Sequence, residues 1–104
     1  MAKAEIMPGN CGFTTTVEAL MDGGKECKIT ITSECSAIQK LALELIQVNP
    51  YQEISFRRST PVILQMGAKY CTHAACPVPV GIIKAVEVAA GLALAKDATI
   101  KLSK

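Results

Sequence analysis

The stretch that decides the fold is residues 70–94, which read YCTHAACPVPVGIIKAVEVAAGLAL. Two cysteines and the only histidine come first, and a segment that is apolar on nearly every side follows them. Pro79 suits the first turn of a helix, and only Lys84 and Glu87 clearly interrupt the apolar surface beyond it. A helix of residues 80–94 with so little polar surface is predicted either to lie in the core or to be covered by a second copy in a homodimer.

Two further helices are predicted before this stretch. Thr60, followed by proline, has the form of an N-cap, so a helix is predicted for residues 61–69. Ser36 and Gln39 have the spacing of a capping box, and apolar residues then recur at helical intervals. A helix is therefore also predicted for residues 36–48, which the following Asn-Pro pair would end.

The predicted strands lie mainly in the N-terminal third of the chain. Residues 2–7 are a candidate first strand, closed by a turn. Apolar and polar residues alternate in residues 13–21 and 27–32, on either side of a Gly-Gly turn, which is typical of a β-hairpin. Residues 53–56 are either a short edge strand or a connection, and residues 98–102 are a candidate final strand.

The register of the hairpin follows from which side chains share a face. A loop of residues 23–25 sets Met21 opposite Cys27 and keeps the apolar residues of both strands on one face. A two-residue loop would instead pair apolar with polar residues. The preferred register, continued to the open end of the hairpin, places Cys11 one diagonal step from Cys35, about 7–8 Å away.

Cysteine is unusually frequent for a short chain, with five residues in 104. In a reducing compartment such cysteines are ligands or redox groups more often than disulfides. Cys27 alternates with Ile29 and Ile31, so it is predicted to be a small buried core residue. Cys11 lies in a turn-rich loop without an apolar pattern. Cys35 precedes a helix, whose N-terminus favours a thiolate.

Cys71, His73 and Cys76 form a Cys-x-His-x-x-Cys pattern, which is not a standard zinc spacing. Together with Cys11 and Cys35, however, they make a set of soft ligands that suits zinc or an iron–sulfur cluster. Each residue also has a structural alternative. The cysteines can be buried without chemistry, and the histidine can hydrogen-bond locally within its loop.

The order of these residues resembles the NifU/IscU-type iron–sulfur scaffold superfamily, including the related TSCPD domain. There, a Cys-Gly (Cys11 here) precedes a hairpin, a second cysteine (Cys35) precedes a helix, and a third (Cys76) precedes the last helix. The resemblance implies an α+β fold with an antiparallel sheet of three to four strands and about three helices packed on one side. It also implies that these three cysteines are ligands at the sheet end. Phe13 and Val78 stand where the family carries aspartate.

Length and composition narrow the remaining possibilities. A chain of 104 residues, half of them apolar, fits one domain, residues 1–104. A net charge of +2 is too small to indicate a nucleic-acid surface. No secretory signal is recognised, and the longest apolar segment is shorter than the roughly 20 residues a bilayer requires. We therefore expect a cytoplasmic protein that binds neither nucleic acid nor membrane.

From these patterns we expect a small protein that binds zinc or an iron–sulfur cluster and works in iron–sulfur or sulfur metabolism. Its predicted ligands are Cys11, Cys35, Cys71, His73 and Cys76. Phosphate-loop, dinucleotide-binding and hydrolase-triad patterns are absent. Two alternatives stay open. One is a redox or sulfur-transfer protein with Cys35 as nucleophile, and the other is a dimeric interaction module in which the cysteines are incidental.

Overall fold

A computed structural model describes all 104 residues as an α+β fold. The elements follow in the order β1 (Ala2–Ile6), β2 (Thr15–Asp22), β3 (Glu26–Ser33), α1 (Ser36–Glu44), β4 (Gln47–Val48), α2 (Pro50–Glu53), α3 (Val62–Tyr70) and α4 (Val78–Ala89). The strands form one antiparallel sheet in the order β1-β2-β3-β4. The predicted fold class, an antiparallel sheet with helices packed against it, is confirmed.

The pairing of β2 with β3 is the one that the alternation of apolar residues predicts. Met21 pairs with Cys27, and residues 23–25 form the loop between the strands. Gly23 and Gly24 have φ values of +68° and +82°, which side-chain-bearing residues rarely adopt. The two glycines therefore let the chain reverse within three residues, and the apolar side chains of both strands share one face.

The helices cover the apolar face of the sheet. Helix α4 packs on β1 and β2, α1 packs on β3, and α3 lies against both α1 and α4. One buried apolar cluster results, made of Ile6, Val17, Ala19, Cys27, Ile29, Ile38, Leu41, Leu45, Val48, Ile63, Val78, Ile82, Ala85 and Val86. No helix is both long enough and apolar enough to cross a lipid bilayer.

Helix α1 is shorter than predicted. It ends at Glu44 instead of Val48, because the residues after it join the sheet. The Ile29 N–H donates to the Ile46 carbonyl oxygen at 2.9 Å, and Val48 pairs with Cys27. β-Branched residues such as Ile46 and Val48 suit this pairing better than a further helical turn. The short strand β4 is the consequence.

The local caps predicted for α1 and α3 are both wrong. Cys35, not Ser36, is the N-cap of α1, and no side chain caps this helix. Thr60 does not cap α3 either. Instead, the carboxylate of Glu53 accepts hydrogen bonds of 3.2 and 2.7 Å from the first two backbone N–H groups of α3. The short helix α2 carries this capping carboxylate on its last residue, which is also the first residue of the segment predicted as an edge strand or connection.

Helix α4 ends earlier than residue 94, the predicted end. The Leu92 N–H donates to the Glu87 carbonyl at 2.9 Å, and the Gly91 N–H donates to the Val88 carbonyl at 3.1 Å. With Gly91 at φ +73°, these bonds form a Schellman motif that terminates the helix. Residues 91–104 beyond it are exposed and form no helix or strand, so the predicted final strand is wrong.

Candidate thiol site

Three of the five cysteines lie together where three helix ends meet. Cys35 precedes α1, Cys71 follows the last residue of α3, and Cys76 lies just before α4. All three are half-buried and pack against the apolar core. Helix α3 packs on both α1 and α4, and the charges of both Cys35 and Cys76 act on the Cys71 thiol at its end.

The pKa of the Cys71 thiol reflects both of its neighbours. Burial raises this pKa to about 11, and the charge and hydrogen bonding of Cys76 and the charge of Cys35 add to the rise. Thiolates placed this close repel one another, so Cys71 is protonated at neutral pH when no cation is present. A cation bound between the sulfurs would reverse this balance, because it favours the ionised thiolates.

The backbone of Cys35 is held by a hydroxyl at the end of the hairpin. The Ser33 Oγ accepts a hydrogen bond of 3.1 Å from the Cys35 N–H and one of 2.8 Å from the Thr15 hydroxyl. Thr15 is fully buried. This relay fixes the direction in which the chain leaves the sheet and enters α1, and with it the position of Cys35.

A close helix contact places Cys71 beside Cys76. Gly67 in α3 faces Pro79 in the first turn of α4, and a Cβ atom on Gly67 would lie only 2.7 Å from the Pro79 Cγ. The two helices can therefore approach only because this residue has no side chain. The Gly67 carbonyl also accepts the Cys71 N–H at 2.8 Å, so the contact and the cysteine belong to the same helical turn.

A polar group fixes the end of α3 against α1. The Glu44 carboxylate accepts a hydrogen bond from the Tyr70 hydroxyl and forms an ion pair of 3.2 Å with Lys69. The hydrogen bond from Tyr70, followed by the contacts of Lys69, lowers the pKa of Glu44. Because Tyr70 directly precedes Cys71, this group helps to fix the position from which the thiol projects.

Cys11 and His73 lie outside the cluster. Both are exposed, and neither contributes to the raised pKa of Cys71. The β2–β3 ladder ends at the pair of Thr15 with Ser33, so the sheet does not carry Cys11 to the side of Cys35 as predicted. The chain before Thr15 instead turns in a loop, which no ladder constrains.

Cys27 is buried in the core, as its place in the alternating strand predicts. Burial raises the pKa of its thiol. It therefore takes no part in the cluster and acts as a small apolar side chain.

No group of three or more His, Cys, Asp or Glu side chains is spaced closely enough to hold a metal ion as the chain stands. Metal binding by Cys35, Cys71 and Cys76 would therefore need their sulfur atoms to come closer together. The loop of residues 71–77 has no helix or strand, and within it the Cys76 N–H donates to the His73 carbonyl at 3.2 Å. Whether the five predicted ligands bind a metal stays a prediction.

A separate cavity of about 320 Å³ lies beside α2 and the start of α3. Its lining includes Arg57 and Arg58, and neither guanidinium forms an ion pair. Its one carboxylate, Glu53, is already engaged in capping α3. The cavity contains no cysteine, so it is distinct from the thiol site.

Sequence reasoning missed two residues that build the thiol site, Ser33 and Gly67. Ser33 is inconspicuous in the sequence, because many strand ends carry a serine. Gly67 does give a signal, since a glycine inside a predicted helix costs about 1 kcal/mol relative to alanine and often marks a close packing contact. That Cys71 and Cys76 lie near each other could be predicted from their spacing in the sequence alone.

The model of one protein family, described as a family of unknown function (DUF6951), matches residues 2–102. No curated protein and no solved structure matches the chain. The assignment to the NifU/IscU-type scaffolds, including the TSCPD domain, is therefore wrong. It rested on the order of the cysteines with few identical residues, and Phe13 and Val78 already departed from that pattern.

Proposed function

Because the chain belongs to the DUF6951 family, whose function is unknown, we propose a function from its own side chains: it binds a soft metal, as zinc or an iron–sulfur cluster, through Cys35, Cys71 and Cys76. The observation that carries this proposal is the convergence of three thiols, two from the loop between α3 and α4 and one from the start of α1. The proposed location is the cytoplasm, where thiols of this kind stay reduced.

The chemistry of the donor set fits such a metal. Thiolate sulfur is the preferred ligand of zinc and of iron–sulfur clusters, and zinc lies about 2.3 Å from each coordinating sulfur. Three protein thiolates leave one position of a tetrahedral site open. His73, in the same loop as Cys76, would fill this position after a loop movement, and otherwise a small external ligand would.

The raised pKa of Cys71 favours metal binding over nucleophilic chemistry at this residue. A catalytic thiol works through a lowered pKa, whereas that of Cys71 is about 11. A metal ion competes directly with the proton, so it can bind a thiol that is neutral in the free protein. The apparent affinity is accordingly expected to rise with pH.

A thiol redox or sulfur-transfer protein is the second candidate, and the position of Cys35 favours it. This residue is the N-cap of α1, so it lies next to the unpaired N–H groups of the first helical turn. Cys35 would then be the nucleophile, and Cys76 or Cys71 would resolve the intermediate.

Zinc titration of the anaerobically purified full chain, in competition with a chromogenic chelator, tests the proposal. We expect one equivalent of zinc, and we expect Cys35→Ser, Cys71→Ser and Cys76→Ser each to weaken binding by at least about 10-fold. Cys11→Ser is the matched control and should retain the affinity. The same variants should lose the visible absorption of a cluster reconstituted with iron and sulfide.

A protein that takes up neither zinc nor a cluster would end the proposal, and so would equal losses in Cys11→Ser and Cys71→Ser. The second candidate predicts instead that the metal-free chain is alkylated fastest at Cys35 near neutral pH. Uniformly slow alkylation of all five cysteines, followed by mass spectrometry, would contradict that candidate.

A further inference from the structure

Residues 98–103 have the alternating pattern of a strand, but they do not pair with any strand of their own chain. Ile100 and Leu102 alternate with Thr99, Lys101 and Ser103. Ile100 is 82% exposed and Leu102 is 90% exposed. Alternation with two large aliphatic residues on one face is the pattern of a strand that has one buried face. Such a segment gains stability only when it pairs with the edge of a sheet.

The sheet has a matching open edge. Strand β1 lies at the end of the order β1-β2-β3-β4, so one side of it has no neighbouring strand. Its inward residues are Ala2, Ala4 and Ile6, and its outward residues are the exposed Lys3 and Glu5. An edge with unpaired backbone groups is a template for adding another strand.

We propose that residues 98–103 of one copy of this chain pair with β1 of a second copy, and that the second copy returns the same contact. The exposed segment does not pair with β1 of its own chain, since none of residues 98–103 makes a backbone hydrogen bond and β1 pairs only with β2. Each copy carries both the segment and the open edge of β1. A two-fold dimer therefore covers the β1 edge of each copy with the segment of the other, and no further copy can add at these edges.

The charges and the face pattern select one register. In an antiparallel pairing that places Lys101 opposite Glu5, Ile100 lies opposite Ile6 and Leu102 lies opposite Ala4. The apolar side chains of the added strand then continue the inward face of the sheet, and one opposite-charge pair lies on the outward face. This dimer differs from one formed through the apolar helix of residues 80–94, because α4 packs on β1 and β2 of its own chain and takes no part in the added strand pairing.

Sedimentation velocity of the full chain over a range of concentrations tests the proposal. We expect a monomer–dimer equilibrium whose dissociation constant rises at least about 10-fold in Ile100→Glu and in Leu102→Glu. Both side chains are exposed in the isolated chain, so these variants should fold normally. Leu94→Glu is the matched control: this leucine is 76% exposed but lies outside the segment, and the variant should dimerise like the wild type.

A charge exchange tests the register. Glu5→Lys and Lys101→Glu should each weaken the dimer, and the double variant should restore it. In hydrogen exchange, the backbone amides of β1 that point away from β2 should gain protection as the protein concentration rises. A chain that stays monomeric would overturn the proposal, whether β1 is free or is protected by its own segment. A dimer that is insensitive to Ile100→Glu and Leu102→Glu would also overturn it and would assign the interface to another face.

Discussion

At the scale of single residues, the Cys71 thiol is the group most strongly altered by folding. Its pKa is about 11 in the fold and 9.0 in a free thiol, so the folded state favours the neutral form. The pKa is raised because the thiol is partly buried and has two other thiols beside it, so that ionising any two of the three is unfavourable. The same arrangement that suppresses the thiolate provides soft ligands for a cation.

This shift predicts a loss of stability at alkaline pH in the metal-free protein. A raised pKa contributes its stabilisation in full below the unfolded value of 9.0, and the contribution is lost as the pH rises through about 11. The rise from 9.0 to about 11 would correspond to about 3 kcal/mol in the free energy of unfolding for a fully buried group, and solvent screening of the half-buried Cys71 makes the expected loss smaller than this. Urea unfolding in metal-free buffer on either side of this window measures the loss.

Cys71→Ser should reduce the alkaline dependence to the part that the buried Cys27 contributes, because serine does not titrate in this range, while Cys11→Ser should leave the dependence unchanged. An equal slope in the wild type and in Cys71→Ser would assign the alkaline loss to other groups.

At the scale of helices and strands, local sequence signals predict the hairpin correctly but fail at the end of α1 and at the cap of α3. The hairpin is predicted correctly because its alternation and its two loop glycines act within a few residues. The end of α1 is missed because Ile46 and Val48 find partners across the sheet. The start of α3 is predicted to within one residue, but its cap is missed because the capping carboxylate, Glu53, lies outside the local capping window. At both places a partner from outside the local window replaces the one that the sequence pattern indicates.

The cap of α3 can be tested by comparing the true and the expected capping residue. Glu53→Ala leaves two backbone N–H groups at the start of α3 without their acceptor, one of them buried. We expect the free energy of unfolding to fall by about 1–3 kcal/mol. Thr60 is the N-cap that the sequence pattern predicts, but its side chain makes no capping hydrogen bond. Thr60→Ala should therefore change the free energy of unfolding by less than about 0.5 kcal/mol. Chemical denaturation that ranks the two variants in the opposite order would refute this cap.

The contact between α3 and α4 gives a second prediction at this scale. Gly67→Ala places a methyl group 2.7 Å from the rigid Pro79 ring, so the helices must separate. Overpacking costs about 1–3 kcal/mol, and the better helix propensity of alanine returns up to about 1 kcal/mol. We expect a net loss of stability together with weaker zinc binding, because the start of α4 moves away from Cys71. Ala68→Leu, on the exposed side of α3, should alter neither stability nor zinc affinity beyond error.

At the scale of the whole molecule, the thiol site depends on packing that no local pattern encodes. Cys71 and Cys76 share one loop, so their proximity could be predicted from spacing. Cys35 joins them only because α3 packs on both α1 and α4. Cys11 was predicted to join them through the sheet, but the ladder stops at Thr15 and leaves this residue in an exposed loop. The gathering of Cys35 with Cys71 and Cys76 thus depends on helix packing, whereas the expected pairing of Cys11 with Cys35 extended a strand register too far.

A metal that joins Cys35, Cys71 and Cys76 would connect the end of the hairpin to two helices, so its effect should appear in global unfolding. At a free zinc concentration about 100 times the dissociation constant, we expect the free energy of unfolding to rise by about 2.7 kcal/mol. Denaturant unfolding with and without zinc measures this gain. Cys11→Ser should keep it, and the Cys71→Ser/Cys76→Ser double variant should lose it, because no pair of adjacent thiols remains. If the double variant is stabilised by zinc as much as the wild type, the zinc binds elsewhere on the chain. If zinc does not stabilise the wild type, the proposed metal site is contradicted.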